Sequence, residues 1–174
     1  MRRIAIVGCG GSGKSVLAKE VGRRLGLPVV HLDAHYWRPG WVPTSDPEWE
    51  EIQSRLVAAD AWVMDGNFHR TLRLRAARAD AILFLDRPTA ACLWGAVSRW
   101  WRLRGTVRPD TAPGCPEGID LEFLHWILGF RRRARPEMLP ILREFEEAGG
   151  RLVVLRDRRE IDAFVATLPG DPNS

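Results

Sequence analysis

Gly8-Cys9-Gly10-Gly11-Ser12-Gly13-Lys14-Ser15 follows directly on the apolar run Ile4-Ala5-Ile6-Val7. Gly, four residues, then Gly-Lys and a hydroxyl residue is the spacing of a phosphate-binding loop, or P-loop. A loop that wraps a polyphosphate must point successive backbone N–H groups inward, and side chains at its turning points would block the approach. Gly8, Gly10, Gly11 and Gly13, with Ser12 among them, meet that need. Lys14 can reach the β- and γ-phosphates as a flexible point charge, and Ser15 can offer its hydroxyl to Mg²⁺. The helix that follows aims its positive end at the anion.

Two carboxylates stand where a substrate could meet them. Asp33 follows the short apolar run Val29-Val30-His31-Leu32, and Asp65 follows Trp62-Val63-Met64. In parallel α/β sheets the ligand crevice lies beyond the carboxyl ends of the strands, so both acids are placed to face it. Position alone also allows Asp33 to be a turn or cap residue. Asp65 can hold Mg²⁺, directly or through water, and Arg70, a few residues on, can grasp an acceptor. Arginines then gather at Arg99, Arg102, Arg104 and Arg108, and again at Arg131, Arg132, Arg133 and Arg135. Between the two clusters, Pro109, Pro113, Gly114, Pro116 and Gly118 exclude long regular structure. Such a segment suits a lid whose closure brings cations onto a transferring phosphate and excludes water. A surface for nucleic-acid backbone, or a plain solvated face, would read similarly.

Periodicity supplies the elements that must carry these groups. Five apolar runs, at residues 4–7, 29–32, 62–64, 81–85 and 152–155, read as strands, and helical patterns lie between them. Leu17, Val21 and Leu25 mark the face of the first helix, and Trp49, Ile52 and Leu56 that of a helix opened by Ser45, Asp46 and Pro47. Leu93, Val97 and Trp101 mark a helix from Pro88 to Leu103. Phe123, Trp126, Ile127 and Phe130 mark one after the loose segment, and Ile161, Phe164, Val165 and Leu168 the last. The aromatic stretch from Tyr36 to Trp41 belongs to an insertion, residues 34–60, too long for a plain connection; it reads as a small acceptor-side subdomain. Its tryptophans are expected to pack rather than to stack on bases. Residues 71–78 read as a short helix whose Arg73, Arg75 and Arg78 form a solvated basic face.

The 174 residues, 45% of them hydrophobic, predict one domain with a real core. Met1-Arg2-Arg3 runs straight into the first strand, which leaves no place for a signal peptide, and no run is long enough to span a membrane. Cys9, Cys92 and Cys115 are far apart, against both zinc and disulfides, so a cytoplasmic protein is expected. The net charge of +4 comes almost wholly from arginine, because Lys14 and Lys19 are the only lysines. Arginine grips phosphate in a bidentate fork, although a general composition bias would leave the same excess.

Taken together, the P-loop, the strand-end acids and the arginine-flanked segment resemble the adenylate kinase-like P-loop kinases. More narrowly, His31-Leu32-Asp33, Tyr36-Trp37-Arg38-Pro39-Gly40-Trp41, Trp62-Val63-Met64-Asp65-Gly66-Asn67, Arg108-Pro109-Asp110 and Gly114-Cys115-Pro116-Glu117 are similar to phrases of the DNA topology modulation, or FlaR-like, proteins. The resemblance spans nearly the whole chain. It implies an α/β three-layer fold with a parallel sheet in the order 2-3-1-4-5, helices on both faces, a helical lid over residues 103–135, and ATP with Mg²⁺ as cofactors. Asp65-Gly66 with Arg70-Thr71 resembles the Asp-Gly-Phe-Pro-Arg-Thr segment of adenylate kinases, with one residue more, and implies a metal-side Asp65 and an acceptor-side Arg70. Asp33 resembles the acid that shikimate- and gluconate-kinase-like relatives place near the acceptor hydroxyl, a candidate base or orienting group. Arg99 and Arg102 resemble lid-entrance arginines, Arg131 and Arg135 those at the exit. The function implied is transfer of a phosphoryl group from ATP to a nucleotide or other small acceptor, by a monomer or homodimer. The alternative is an ATP-responsive protein associated with nucleic acid.

Overall fold

The computed structural model describes residues 1–107, 110–116 and 118–170. Arg108, Pro109 and Glu117, from the arginine-flanked segment, and the tail 171–174 lie outside the described residues. The first strand, β1 (Arg3–Gly8), is buried on both faces, and its side chains alternate between two cores. Ile4 and Ile6 join one apolar cluster, Ala5 and Val7 the other. A strand apolar at every position needs cover on both sides, and period-two alternation then forces three layers.

The chain supplies that cover in order. Helix α1 (Lys14–Leu25) leads to strand β2 (Val29–His31), a single helical turn α2 (Leu32–Tyr36) and a two-stranded hairpin, β3 (Trp37–Arg38) with β4 (Val42–Pro43). Helix α3 (Asp46–Val57), strand β5 (Trp62–Asp65), a 3-10 turn (His69–Thr71) and helix α4 (Leu72–Ala76) follow. Strand β6 (Ala81–Leu85) leads to helices α5 (Thr89–Leu103), α6 (Leu121–Gly129) and α7 (Ala134–Glu147), and strand β7 (Arg151–Leu155) to α8 (Arg158–Ala166). The large sheet is parallel, in the order β2-β5-β1-β6-β7. Counting only its own five strands, this is the expected order 2-3-1-4-5. Leu17, Val21 and Phe164 of α1 and α8 pack against Ile4, Ile6, Val63, Leu83 and Leu85. On the other face Trp49, Leu72, Cys92, Ala96, Ile127 and Met138 pack against Val7, Trp62, Met64 and Phe84. Each large apolar side chain buried in this way stabilises the fold by about 1.5–3 kcal/mol. Because β1 pairs with β5 on one side and β6 on the other, the connections diverge at its carboxyl end, where the P-loop lies.

Four local expectations change. The second strand ends at His31, so Leu32 and Asp33 begin a helical turn instead of closing a strand. Strand β2, whose short apolar run predicts burial on both faces, is half-buried because it forms an edge of the sheet. On α5 the stripe Leu93, Val97, Trp101 is out of phase: Val97 and Trp101 are exposed, and Cys92 and Ala96 are buried. The inward face must be small there, since the P-loop backbone presses on it. Arg75 is wholly buried, not solvated.

Candidate functional site

Close backbone packing shapes the P-loop. Gly8 has φ 146° and Gly11 φ 73°, and a Cβ would stand 2.6 Å from the Leu85 carbonyl oxygen at Gly8 and 2.1 Å from that of Cys92 at Gly11. From the facing helix, a Cβ on Gly95 would lie 2.1 Å from the Gly11 carbonyl oxygen. Helix α6 closes over the outer side, where a Cβ on Gly10 would stand 2.9 Å from the Phe123 ring and 3.1 Å from Trp126. The loop is thus clamped between β6, α5 and α6. At its end Gly13 is the N-cap of α1 and makes no side-chain cap bond, and the first turn holds no acidic residue. The N–H groups of that turn are left to an anion.

Around the loop the side chains form two sets. Lys14 reaches back to donate from Nζ to the Cys9 carbonyl at 2.9 Å. Ser15 donates from Oγ to Oδ2 of Asp65 at 2.7 Å, and Nδ1 of His31 bonds Oδ1 of the same carboxylate. Asp65 is 4% exposed. His31 and Asp65 are directly paired across β2 and β5, and Ile6 and Asp65 across β1 and β5, so parallel register brings these groups to one edge. On the other side Asp86, buried after β6, takes a bidentate pair from Arg135 at 2.9 and 2.7 Å, with Arg131 at 3.6 Å. Arg131 also donates to the Arg87 carbonyl at 3.4 Å, and Arg87 to the Ser12 carbonyl at 3.4 Å. The bond to Asp86 raises the pKa of Arg135.

Two buried thiols lie at this edge. Cys9 in the loop and Cys92 on α5 share a hydrogen bond that, with burial, pushes the Cys9 pKa up. That of Cys92 falls, first through the same bond and then through the charges of Lys14, Arg87 and Arg131.

Behind Asp65, Arg75 donates to the carbonyls of Gly66 and Asn67 at 2.8 Å and of Phe68 at 2.9 Å. Phe68 has φ 27°, sparsely populated for a side chain of its size, and the buried guanidinium gathers the carbonyls of that turn. Its ring packs with Tyr36 and Trp49, which form an aromatic cluster with Trp37 and Trp41. The tryptophans of the insertion pack there, and Trp41 sits at its exposed rim.

The structure brings the P-loop residues, Ser15 and Asp65 together. Asp33 lies two residues beyond His31, half-buried in the first turn of α2. Arg70 points to the surface, 78% exposed, 3.6 Å from Asp46. Arg99 lies over the Phe123 ring, 5.9 Å from its centroid. His31, Asp86 and Arg87 were not singled out by sequence. Asp86 and His31 carry the same signal as Asp65, a polar residue at the carboxyl end of a strand.

Ser15 and Asp65 are hard oxygen donors in mutual contact, a pair that fits Mg²⁺. Among the described residues no cluster of three or more His, Cys, Asp or Glu could hold a metal alone. Among them, too, no helix is long and apolar enough to cross a membrane.

No family model and no curated protein matches the chain. Solved structures do. A shikimate kinase from Bacteroides thetaiotaomicron is similar over 95% of this chain and 94% of its own, at 17% identity and a TM-score of 0.55. A gluconokinase from Sinorhizobium meliloti 1021 is similar over 95% and 91%, at 21% identity and 0.54. A shikimate kinase from Acinetobacter baumannii, solved in complex with shikimate, is similar over 95% and 89%, at 16% identity and 0.55. The chain therefore has the α/β fold of P-loop phosphotransferases.

Proposed function

We propose that the protein transfers the γ-phosphoryl group of ATP, with Mg²⁺, to a small acceptor. The contact between Ser15 and Asp65, one residue past Lys14 and at the mouth of the P-loop, carries this reading. When bound there, Mg²⁺ would neutralise charge on the β- and γ-phosphate oxygens. The loop amides and Lys14 would hold the donor, and Asp33 would orient the acceptor hydroxyl.

Magnitudes assign the arginines. The charge-assisted bidentate pair of Arg135 with buried Asp86 is worth roughly 1.5–3 kcal/mol and keeps that side chain in place. Arg131 is held only by two long contacts, to Asp86 at 3.6 Å and to the Arg87 carbonyl at 3.4 Å, and is half-exposed, so it is the cation more readily released to follow the transferring group. The exposed pair of Arg70 with Asp46 holds by about 0–1 kcal/mol at most, a small obstacle to meeting an acceptor.

A small acceptor is favoured by the way the two covering segments meet. Gly40 of the insertion donates to the Gly114 carbonyl at 2.9 Å and Trp41 Nε1 to that of Pro116 at 3.1 Å. Cys115 donates to the Arg38 carbonyl at 3.2 Å. Such a joined cover suits a free metabolite better than the end of a polymer. The shikimate and gluconate kinases that share the fold also take small acceptors by their names.

The test is transfer of label from γ-³²P-ATP to a panel of small alcohols, hydroxy acids, nucleosides and nucleoside monophosphates. At least one labelled product is expected. Lys14→Ala should lower its rate by about 10²-fold or more with an unchanged unfolding curve. No transfer to any member of the panel would remove the reading.

A further inference from the structure

We infer that His31 is a positioning residue for Asp65, fixing the carboxylate in the orientation in which it serves a divalent cation. The inference rests on the phosphoryl-transfer reading above and names a residue that reading does not use. A carboxylate only accepts, so Nδ1 of His31 carries the proton of the bond to Oδ1. Ser15 holds the other oxygen at 2.7 Å. With a donor on each oxygen, the carboxylate is fixed about its last torsion. The two donors come from different elements, the end of β2 and the first turn of α1.

Removing either donor has unequal consequences. Ser15 is itself a candidate ligand, so its loss would remove a ligand and a donor together. Among the described residues the hydrogen bond of His31 goes to that carboxylate, and His31 is not itself a candidate ligand, so its loss tests the orientation. Asp65 is nearly inaccessible to water, and an oxygen left without its donor turns toward whatever donor remains. Arg75 gives the carboxylate no direct bond: its Nη1 and Nη2 donate to the carbonyls of Gly66, Asn67 and Phe68, and its buried Nε has no partner among the described residues. The expected effect is on the cation and not on the nucleotide, whose phosphates meet loop amides and Lys14.

Mn²⁺ is the probe, its free ion followed by electron paramagnetic resonance in the presence of ADP, with ADP affinity in EDTA and the unfolding temperature measured on the same samples. His31→Ala should weaken Mn²⁺ binding in the nucleotide complex about tenfold or more, the scale of lost outer-shell partners, and leave ADP affinity in EDTA unchanged. His31→Asn, whose amide can place a donor where Nδ1 lies, should restore Mn²⁺ binding. His31→Gln, whose donor falls where Nε2 lies, should not. This polar pair decides the matter even if the alanine variant does not fold. Mn²⁺ binding unaffected in all three variants, equal weakening with and without metal, or Asn no better than Gln would each overturn the inference. Wild-type protein that binds ADP no better with Mn²⁺ than in EDTA would instead remove the metal-assisted reading beneath it.

Discussion

Arg75 and Asp80 illustrate how differently single charges are treated in this fold. Burial pushes the Arg75 pKa down to about 9, against the opposing pull of the Asp65 charge, yet it still keeps its proton at neutral pH. Three carbonyl acceptors hold it. Asp80, before β6, accepts from the backbone N–H of Arg2 at 2.5 Å and of Arg3 at 3.0 Å, and from the Arg3 guanidinium at 3.0 Å. Those bonds, led by that from Arg2, hold its carboxyl at about 2, below the ordinary 3.8. The folded state then binds fewer protons than the unfolded one between those values, so the contribution is complete above about pH 4 and lost as pH falls through 2. Partial exposure limits it to about 1 kcal/mol. Asp80→Asn should lower stability by that amount at pH 7 and by almost nothing at pH 2, read from urea unfolding at both pH values. An equal loss at both would mean that packing, not charge, is what Asp80 supplies.

At the scale of elements, the contact that shapes the site is that between the P-loop and α5. Helix α5 has small residues inward at Cys92, Gly95 and Ala96, and the Gly11 backbone rests against them. Gly95→Ala would place a methyl 2.1 Å from the Gly11 carbonyl oxygen. Overpacking of this kind costs about 1–3 kcal/mol, and here it would displace the loop itself. A lower unfolding temperature is expected together with weaker nucleotide binding, read by calorimetry. Unchanged nucleotide affinity would show that the helix, and not the loop, gives way.

For the whole molecule, the described part of the lid-like segment between α5 and α6 is docked. Asp110, Thr111, Ala112 and Cys115 are buried, and Asp110 faces Lys19 of α1 at 3.8 Å. Together with the bonds from the β3–β4 hairpin, this joins the lid-like segment to the acceptor-side insertion. On the phosphoryl-transfer proposal, opening for substrate would break those bonds as a group. Trp41→Ala removes the indole bond to Pro116 and should favour the open form, read as several-fold faster trypsin cleavage within residues 99–133. Addition of a nucleotide should slow it again. Cleavage as slow as in the wild type would mean that the joint does not depend on Trp41.

Much of this was written locally. The P-loop is legible because its chemistry needs glycine, lysine and serine at set spacing in one stretch of chain. The five strands are legible because each is a short apolar run bounded by turn residues, continuous and buried on both faces in the three inner strands, and Asp65 because a strand end is a local event. Tertiary structure decided the rest. The phase of α5 follows from the close approach of Gly11, far away in sequence, so small residues outrank larger ones on its inner face. Arg75 looked like one more surface arginine until the carbonyls of residues 66–68 were seen to converge on it. His31 acquires a partner only when parallel pairing sets β2 beside β5 and brings Asp65 next to it. The different holds on Arg131 and Arg135 depend on Asp86, which no helical spacing connects to either. Local spacing could mark a phosphate-binding loop and a strand-end acid; only register and packing could bring Ser15, Asp65 and His31 into one hydrogen-bonded set.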